Sequence, residues 1–379
     1  MKIKKATQCV HAGAGSTPRI QGVTTPIVTS TSFLFPNDDD EVVYPRYFNV
    51  ANQEIVASKI ASLENGERGL VLSSGMAAIS SVLLGILKSG DHAVFQSGIY
   101  GGTRSFMANR LSRYGIEHSL VEGCDIASFE QSLRENTKLI FFESPTNPLL
   151  QIVDIAAIAD LAKARGILTV VDNTFATPIN QNPLDLGIEI VIHSGTKYLN
   201  GHSDVNCGAI VTSSELMSPI LGCAVNLGGT LDVRACYLLE RGTKTLDLRV
   251  KQQCENAMRL ARFLAEHPRV RKVYFPGLRD HPGHELAARQ MKSFGAMLSF
   301  ELDTDEGTAN AMLQNLSIGT LAVSLGGVET LICFPKETSH AKMTEKERQR
   351  EGISATLARV SVGIEDADDL VNDFDDALK

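Results

Sequence analysis

A lysine, two hydroxyls and an acid stand at the ends of apolar runs in this chain, and together they suit one kind of chemistry. Lys197 lies in His193-Ser194-Gly195-Thr196-Lys197-Tyr198, just after Ile188-Glu189-Ile190-Val191-Ile192, which reads as a buried strand. An amine there can form a Schiff base with an aldehyde cofactor, and the hydroxyls of Ser194 and Thr196 can hold phosphate oxygens. Leu168-Thr169-Val170-Val171-Asp172 is a second apolar run, ending in a carboxylate that can keep a pyridine nitrogen protonated. A lysine alone would be read as a solvated charge. The combination points to pyridoxal 5'-phosphate as cofactor.

Two further segments fit that chemistry. Ser74-Gly75-Met76 lies between the apolar strand Leu70-Val71-Leu72 and a helix opening at Met76, and free N–H groups at a helix start bind phosphate well. Arg359 is flanked by apolar residues in Leu357-Ala358-Arg359-Val360-Ser361-Val362. A guanidinium inside such a strand is costly unless paired. It belongs either in a structural salt bridge or on the α-carboxylate of an amino-acid substrate, and we read it as the second.

The elements that must position these groups are legible as a rhythm. From about residue 50 to 240, helical patterns such as Gln53 to Leu63, Met76 to Leu87 and Asp154 to Arg165 alternate with short apolar strands. Those strands are His92 to Phe95, Lys138 to Phe142, Leu168 to Val171, Ile188 to Ile192 and Gly208 to Val211. Alternation of this kind makes a largely parallel sheet covered on both faces. Arg249 to His267 predicts a long helix, and after it strands at Val270 to Phe275, Met297 to Leu302, Leu331 to Phe334 and Arg359 to Val362 interleave with helices at Glu285 to Lys292, Gly307 to Leu316 and Ala367 to Leu378. The expected organisation is an N-terminal arm (1–48), a large α/β cofactor domain (49–245) and a smaller α+β C-terminal domain (246–379). The first 45 residues are polar and aperiodic, yet Ile27, Val28, Phe33, Leu34, Phe35 and Tyr44 are too apolar for a free tail. An arm lying on another surface is expected.

Bulk properties exclude several classes. A net charge of -8 with no dense Lys/Arg run argues against a nucleic-acid surface. No span approaches the ~20 apolar residues that cross a membrane, and polar Ala6-Thr7-Gln8 interrupts what could start a signal peptide. Seven scattered cysteines with no C-x-x-C pair suggest the reduced thiols of a cytoplasm. His281-Pro282-Gly283-His284 has a metal-like spacing but no acid or thiol cluster beside it, so we expect a loop and no metal site. A dinucleotide oxidoreductase would share the α/β alternation, but no G-x-G-x-x-G joins a strand to a helix.

An ordered set of segments running through nearly the whole chain carries a resemblance. It includes Thr25-Pro26-Ile27, Tyr44-Pro45-Arg46, Ser73-Ser74-Gly75-Met76-Ala77-Ala78, Tyr100-Gly101-Gly102-Thr103, Glu143-Ser144-Pro145-Thr146-Asn147-Pro148, Val171-Asp172-Asn173-Thr174, Thr196-Lys197-Tyr198, Ser324-Leu325-Gly326-Gly327 with Glu329-Thr330-Leu331, and Arg359-Val360-Ser361-Val362-Gly363. The chain resembles the pyridoxal-phosphate enzymes of cysteine and methionine metabolism, the transsulfuration group. That likeness implies fold type I, the aspartate-aminotransferase-like fold. It gives Gly75 and Met76 phosphate-facing amides, lets the Tyr100 ring stack on the cofactor and its hydroxyl move protons, and sets Asn147 on the phenolic oxygen and the substrate carboxylate. It makes Lys197, Tyr100 and Asp172 the catalytic set and adds Ser324 to the substrate site. Tyr44 and Arg46 would reach a neighbouring subunit's phosphate, giving a homo-oligomer with shared sites, a dimer or more usually a tetramer. Glu329 would meet the distal ammonium of cystathionine.

The activity implied is a carbon–sulfur lyase, with γ-elimination on L-cystathionine the first choice. γ-Replacement by a cystathionine γ-synthase or O-acylhomoserine sulfhydrylase is the alternative, then methionine γ-lyase or cystathionine β-lyase, and in another class a catalytically silent cofactor-binding protein. Three places depart from common family patterns: Asn49-Val50-Ala51 after the arm pair, Gly102 where methionine lyases carry cysteine, and Phe334 before Pro335.

Overall fold

The computed structural model describes residues 3–13, 22–36, 41–341 and 343–379. Two sheets carry it. The larger has seven strands: β1 (Arg68–Leu72), β2 (His92–Gln96), β3 (Glu117–Val121), β4 (Thr137–Glu143), β5 (Leu168–Asp172), β6 (Ile190–Ser194) and β7 (Gly208–Thr212), ordered β1-β7-β6-β5-β4-β2-β3. All pairs among β3, β2, β4, β5 and β6 are parallel, and β7 runs antiparallel to both its neighbours. The inner strands are apolar almost throughout, as a sheet buried on both faces requires. The sheet is therefore mostly parallel, as the alternation implies, and it is the large layer of an α/β fold.

The smaller sheet, ordered β10-β11-β12-β9-β8, uses β8 (Val270–Tyr274), β9 (Met297–Leu302), β10 (Thr320–Leu321), β11 (Leu331–Cys333) and β12 (Leu357–Ser361). It is antiparallel except for β10 with β11. The 21-residue helix Leu246–Glu266 leads into it and buries a face of Val250, Ala257, Leu260, Ala261 and Leu264. One apolar cluster runs from Val56 and Ile60 through that helix to Phe300 and Phe374, so the two sheets share a core.

Part of the expected arm is fastened to its own chain. Helix α1 (Lys5–His11) lies on α2 (Ala51–Glu64), where buried Lys59 donates from Nζ to Cys9 O at 3.1 Å and Val10 O at 3.3 Å. Residues 22–36 form no helix or strand, and within them Leu34 and Phe35 are 96% exposed. The positions 1–2, 14–21 and 37–40 of the arm lie outside the described residues. No helix among the described residues is long and apolar enough to cross a membrane. His284 of the His-Pro-Gly-His segment bonds Pro276 O at 2.8 Å and stacks on Phe294.

The turn after β6 is held from behind. Arg249 donates to Tyr198 O at 2.9 Å and to Gly242 O at 2.8 Å. Gly201, at φ +73°, admits that guanidinium: a Cβ there would lie 1.9 Å from Arg249 Nη1. Gly326, at φ +76°, lets the Ser324–Gly327 loop close on the same turn, where a Cβ would sit 2.6 Å from Tyr198 N.

Candidate active site

A cavity of ≈ 800 Å³ opens between the C-terminal ends of the parallel strands and the smaller sheet. Ligands of open α/β sheets bind at such strand ends. Gly75, Met76, Tyr100, Asn147, Asp172, Ser194, Thr196, Lys197, Ser324 and Arg359 all line it.

Each is aimed by local structure. Ser74 caps helix α3 (Gly75–Ile86), its Oγ accepting from Ala77 N at 3.0 Å, so the Gly75 and Met76 amides precede the intrahelical ladder. Gly75 itself is backed by Ser194: a Cβ would meet that side chain at 3.0 Å. Asp172 closes β5 and accepts from Thr174 N at 3.0 Å and from the Thr174 hydroxyl, bonds that favour its anion against burial. Burial is the larger effect, and the Asp172 carboxyl sits above the usual range. Thr174 Oγ1 in turn accepts from Ser194 N at 2.8 Å, which ties β5 to the lysine turn.

Lys197 donates from Nζ to Ser324 Oγ at 2.6 Å. Burial, then the Arg359 charge, lowers its ammonium to about 8, so far more neutral amine is present at neutral pH than on a surface lysine. Ser324 reaches it from a backbone at φ +86°, a region that costs a non-glycine residue ~1–3 kcal/mol and collects at functional sites. Arg359 donates to Asn147 Oδ1 at 3.0 Å and to Ser324 O at 3.3 Å. No carboxylate among the described residues pairs with it, so the salt-bridge reading fails and the guanidinium is free for an anion in the cavity.

Other expected residues are engaged differently or lie elsewhere. The Thr196 hydroxyl is occupied by the start of β7: it contacts Cys207 O and Asn206 Oδ1, each at 3.1 Å, and accepts from Cys207 N at 2.9 Å. Tyr44 and Arg46 do not line this cavity; Arg46 stacks near the Tyr44 and Tyr47 rings and donates to Val225 O at 3.3 Å. Glu329 does not line it either. Its side chain turns back over Gly327, where a Cβ would meet its Oε2 at 2.6 Å, and it lies 3.5 Å from Ser203 Oγ. The carboxylates that do line the cavity besides Asp172 are Glu143, at the end of β4, and Glu337, in the 3-10 turn Pro335–Glu337. Sequence reasoning gave neither a role, although Glu143 stands inside a segment quoted for the resemblance.

The donor set fits the cofactor. A low-pKa amine, unladdered amides with the Ser194 hydroxyl, a buried acid and a ring-bearing tyrosine match in turn an aldehyde, a phosphate, a pyridine nitrogen and its flat face. The comparisons agree. Residues 6–379 match the family model described as "Cys/Met metabolism PLP-dependent enzyme". The chain belongs to that family.

Its relatives differ in reaction. It is 43% identical to the cystathionine gamma-lyase of Bacillus subtilis (strain 168), over 380 residues and the whole of both chains. It is 40% identical to the L-methionine gamma-lyase of Fusobacterium nucleatum subsp. nucleatum, over 396 residues and again the whole of both. A crystal structure of cystathionine gamma synthase from Xanthomonas oryzae pv. oryzae, in complex with aminoacrylate and cysteine, superposes with a TM-score of 0.96 at 41% identity, covering 100% of this chain and 98% of that one. The fold is thus fold type I, the cofactor pyridoxal 5'-phosphate, and the enzyme a pyridoxal-phosphate-dependent member of the transsulfuration lyases and synthases.

Proposed function

We propose that this enzyme cleaves the Cγ–S bond of L-cystathionine, giving cysteine, 2-oxobutanoate and ammonia with uptake of one water. The observation that carries the choice is a cavity lined by both an unpaired guanidinium and a carboxylate outside the cofactor-facing strand ends. Arg359 is free for an α-carboxylate, and Glu337, with Thr338 and Ser339, lines the same cavity. Cystathionine carries a second ammonium and carboxylate beyond its sulfur, so a distal acid favours it over substrates with an apolar tail.

Bound cofactor supplies an electron sink that makes the Cα and Cβ protons of an amino acid acidic. Arg359, held by Asn147, fixes the α-carboxylate by a bidentate pair and so sets which bond at Cα faces the lysine. Lys197, once free, is the base for the Cα proton, and its contact with Ser324 Oγ holds Nζ on one side of the cavity. Asp172 would hold the ring-nitrogen proton, and Tyr100, which lines the cavity, is assigned to proton transfer. The end-to-end likeness to a cystathionine gamma-lyase supports the same reading.

Purified enzyme given L-cystathionine tests it through the products. Cysteine with 2-oxobutanoate is expected. Homocysteine with pyruvate would mean β-cleavage instead, and turnover only of an O-acylhomoserine with a thiol would mean replacement. A second reading, methionine as substrate, is favoured by Val323, an apolar side chain lining the same cavity.

We infer a homo-oligomer with shared sites, cytoplasmic like its expected thiol chemistry. Tyr44 and Arg46 stand off their own cavity, and Val23, Leu34 and Phe35 lie bare on this protomer.

A further inference from the structure

The cofactor end of the cavity holds one more buried carboxylate than its chemistry calls for. Glu143 ends β4 and Asp172 ends β5, and the two are register partners in a parallel pair. Their side chains leave the same face of the sheet from strands ~4.8 Å apart. Both are buried, at 5% and 9% exposure, and both line the cavity. Asp172 alone suffices for a ring nitrogen. Glu143 has no cationic partner among the described residues; its carboxylate accepts one hydrogen bond, from Tyr100 N at 2.6 Å.

That bond is informative. Tyr100 is the residue before helix α4 (Gly101–Asn109), and its backbone N–H is anchored by a side chain from the strand next to Asp172. The ring expected to cover the cofactor is thus located by Glu143. Burial first, then the Asp172 charge, pushes the Glu143 carboxyl well above the usual carboxylate range, and burial raises Asp172 in turn.

We propose that Glu143 is a positioning residue for the cofactor: its Oε1 pins the Tyr100 backbone, and its charge, set beside that of Asp172, makes the ring-nitrogen end of the cavity demand a cation. In the cofactor-free protein the pair meets that demand by holding a proton. A protonated pyridine ring brings the positive charge itself, and the carboxyl proton leaves to solvent as the ring binds. The other ionisable groups facing the pair are His193 from β6, whose Nε2 lies 2.6 Å from Glu64 Oε1, Lys197 from the turn after it and Arg359 from β12. The inference holds whichever sulfur amino acid is the substrate.

The sign follows. Below the raised carboxyl value the cofactor-free protein carries a proton that the loaded protein lacks, so affinity rises with pH through that window, by up to about tenfold per pH unit for one proton. Glu143→Gln keeps an oxygen for Tyr100 N but removes the second charge. Its affinity for pyridoxal 5'-phosphate is expected to vary less steeply with pH. The cofactor's own titrations are common to both proteins and cancel in the ratio of dissociation constants.

Cofactor-stripped wild type and E143Q are titrated with pyridoxal 5'-phosphate from about pH 5.5 to about pH 8. The ratio of Kd values should change with pH, by up to about tenfold per pH unit for one linked proton. A ratio constant across that range overturns the charge half of the proposal. Visible circular dichroism of the bound cofactor reads the other half. E143Q should keep the wild-type band and E143A should lose much of its amplitude, since alanine frees Tyr100 N. Equal bands in E143Q and E143A, or a band lost in E143Q, overturn the positioning role; if E143A does not fold, the E143Q band still decides.

Discussion

Two parts of the cavity lining are built in different ways. On one, Glu143, Asp172 and Ser194 stand at the ends of three adjacent parallel strands and are tied by hydrogen bonds: Thr174 N donates to Asp172, Ser194 N to Thr174 Oγ1 and Tyr100 N to Glu143. On the other, Glu337, Thr338 and Ser339 come from a short 3-10 turn and the loop after it, and the Glu337 side chain is 54% exposed. A strand end fixes a side chain by its backbone ladder, so the first region can hold reactive groups to within a few tenths of an ångström. A turn bonded mainly within itself can change its side chains without disturbing those strand ends. The relatives this chain matches are named for different reactions.

If that contrast is right, perturbations should lose force from the strand ends to the turn. Lys197→Ala is expected to have the largest effect. It should abolish turnover and the visible absorbance of lysine-bound cofactor, with folding intact by circular dichroism. The same variant tests the shared site: co-expressed with Arg46→Ala, it should recover activity in mixed oligomers that combine one intact cavity with one intact arm. Recovery absent despite demonstrated mixing would place Arg46 in the service of its own chain.

Asp172→Asn should follow. It leaves shape and burial but cannot hold the ring nitrogen's proton. A lost charge-assisted hydrogen bond of ~2–3 kcal/mol corresponds to roughly 30- to 150-fold in kcat. Unchanged kcat at saturating substrate would remove Asp172 from the role. Arg359→Lys, on β12, keeps the charge but loses the fork that bonds Asn147 and faces the substrate. KM should rise about tenfold, a loss of ~1.4 kcal/mol, with the cofactor Kd little changed. Equal loss of substrate and cofactor affinity would instead make Arg359 a structural tie between Asn147 and the Ser324 loop.

The same contrast explains what the sequence could convey. Lys197, Asp172 and Arg359 were legible because each is a polar residue that interrupts or ends an apolar run, and burial of a charge needs a reason. The inner strands were legible for the complementary reason. Strand β3 was not, because it lies at the sheet edge with Glu117 and Leu120 exposed and carries no apolar run. Helix Ser214–Leu227 was masked by Pro219 in its interior. Glu143 needed its register with Asp172, which only pairing reveals. Glu329 stands off the cavity because the turn at Gly326-Gly327 decides where its side chain points, whereas likeness supplies only a residue's type and place along the chain.

Glu337 therefore sets the weakest and most discriminating test. Its carboxylate lines the cavity but is half exposed and shares its charge with Lys336, whose Nζ lies 3.7 Å away and also pairs with Glu306. An exposed ion pair contributes ~0.2–1 kcal/mol. Glu337→Gln should thus lower kcat/KM for cystathionine only about 1.5- to 5-fold while leaving methionine, which has no distal charge, unchanged. Glu329→Gln should change neither substrate beyond about the scatter of a surface substitution. Parallel losses on both substrates in Glu337→Gln would mean that the residue merely supports its turn. A cystathionine-selective loss in Glu329→Gln, with none in Glu337→Gln, would return the distal contact to Glu329 and require the Gly326-Gly327 loop to open toward the cavity when substrate binds. Either result would move the specificity of this enzyme away from the turn at Pro335, and with it the argument that the mouth of the cavity varies independently of its floor.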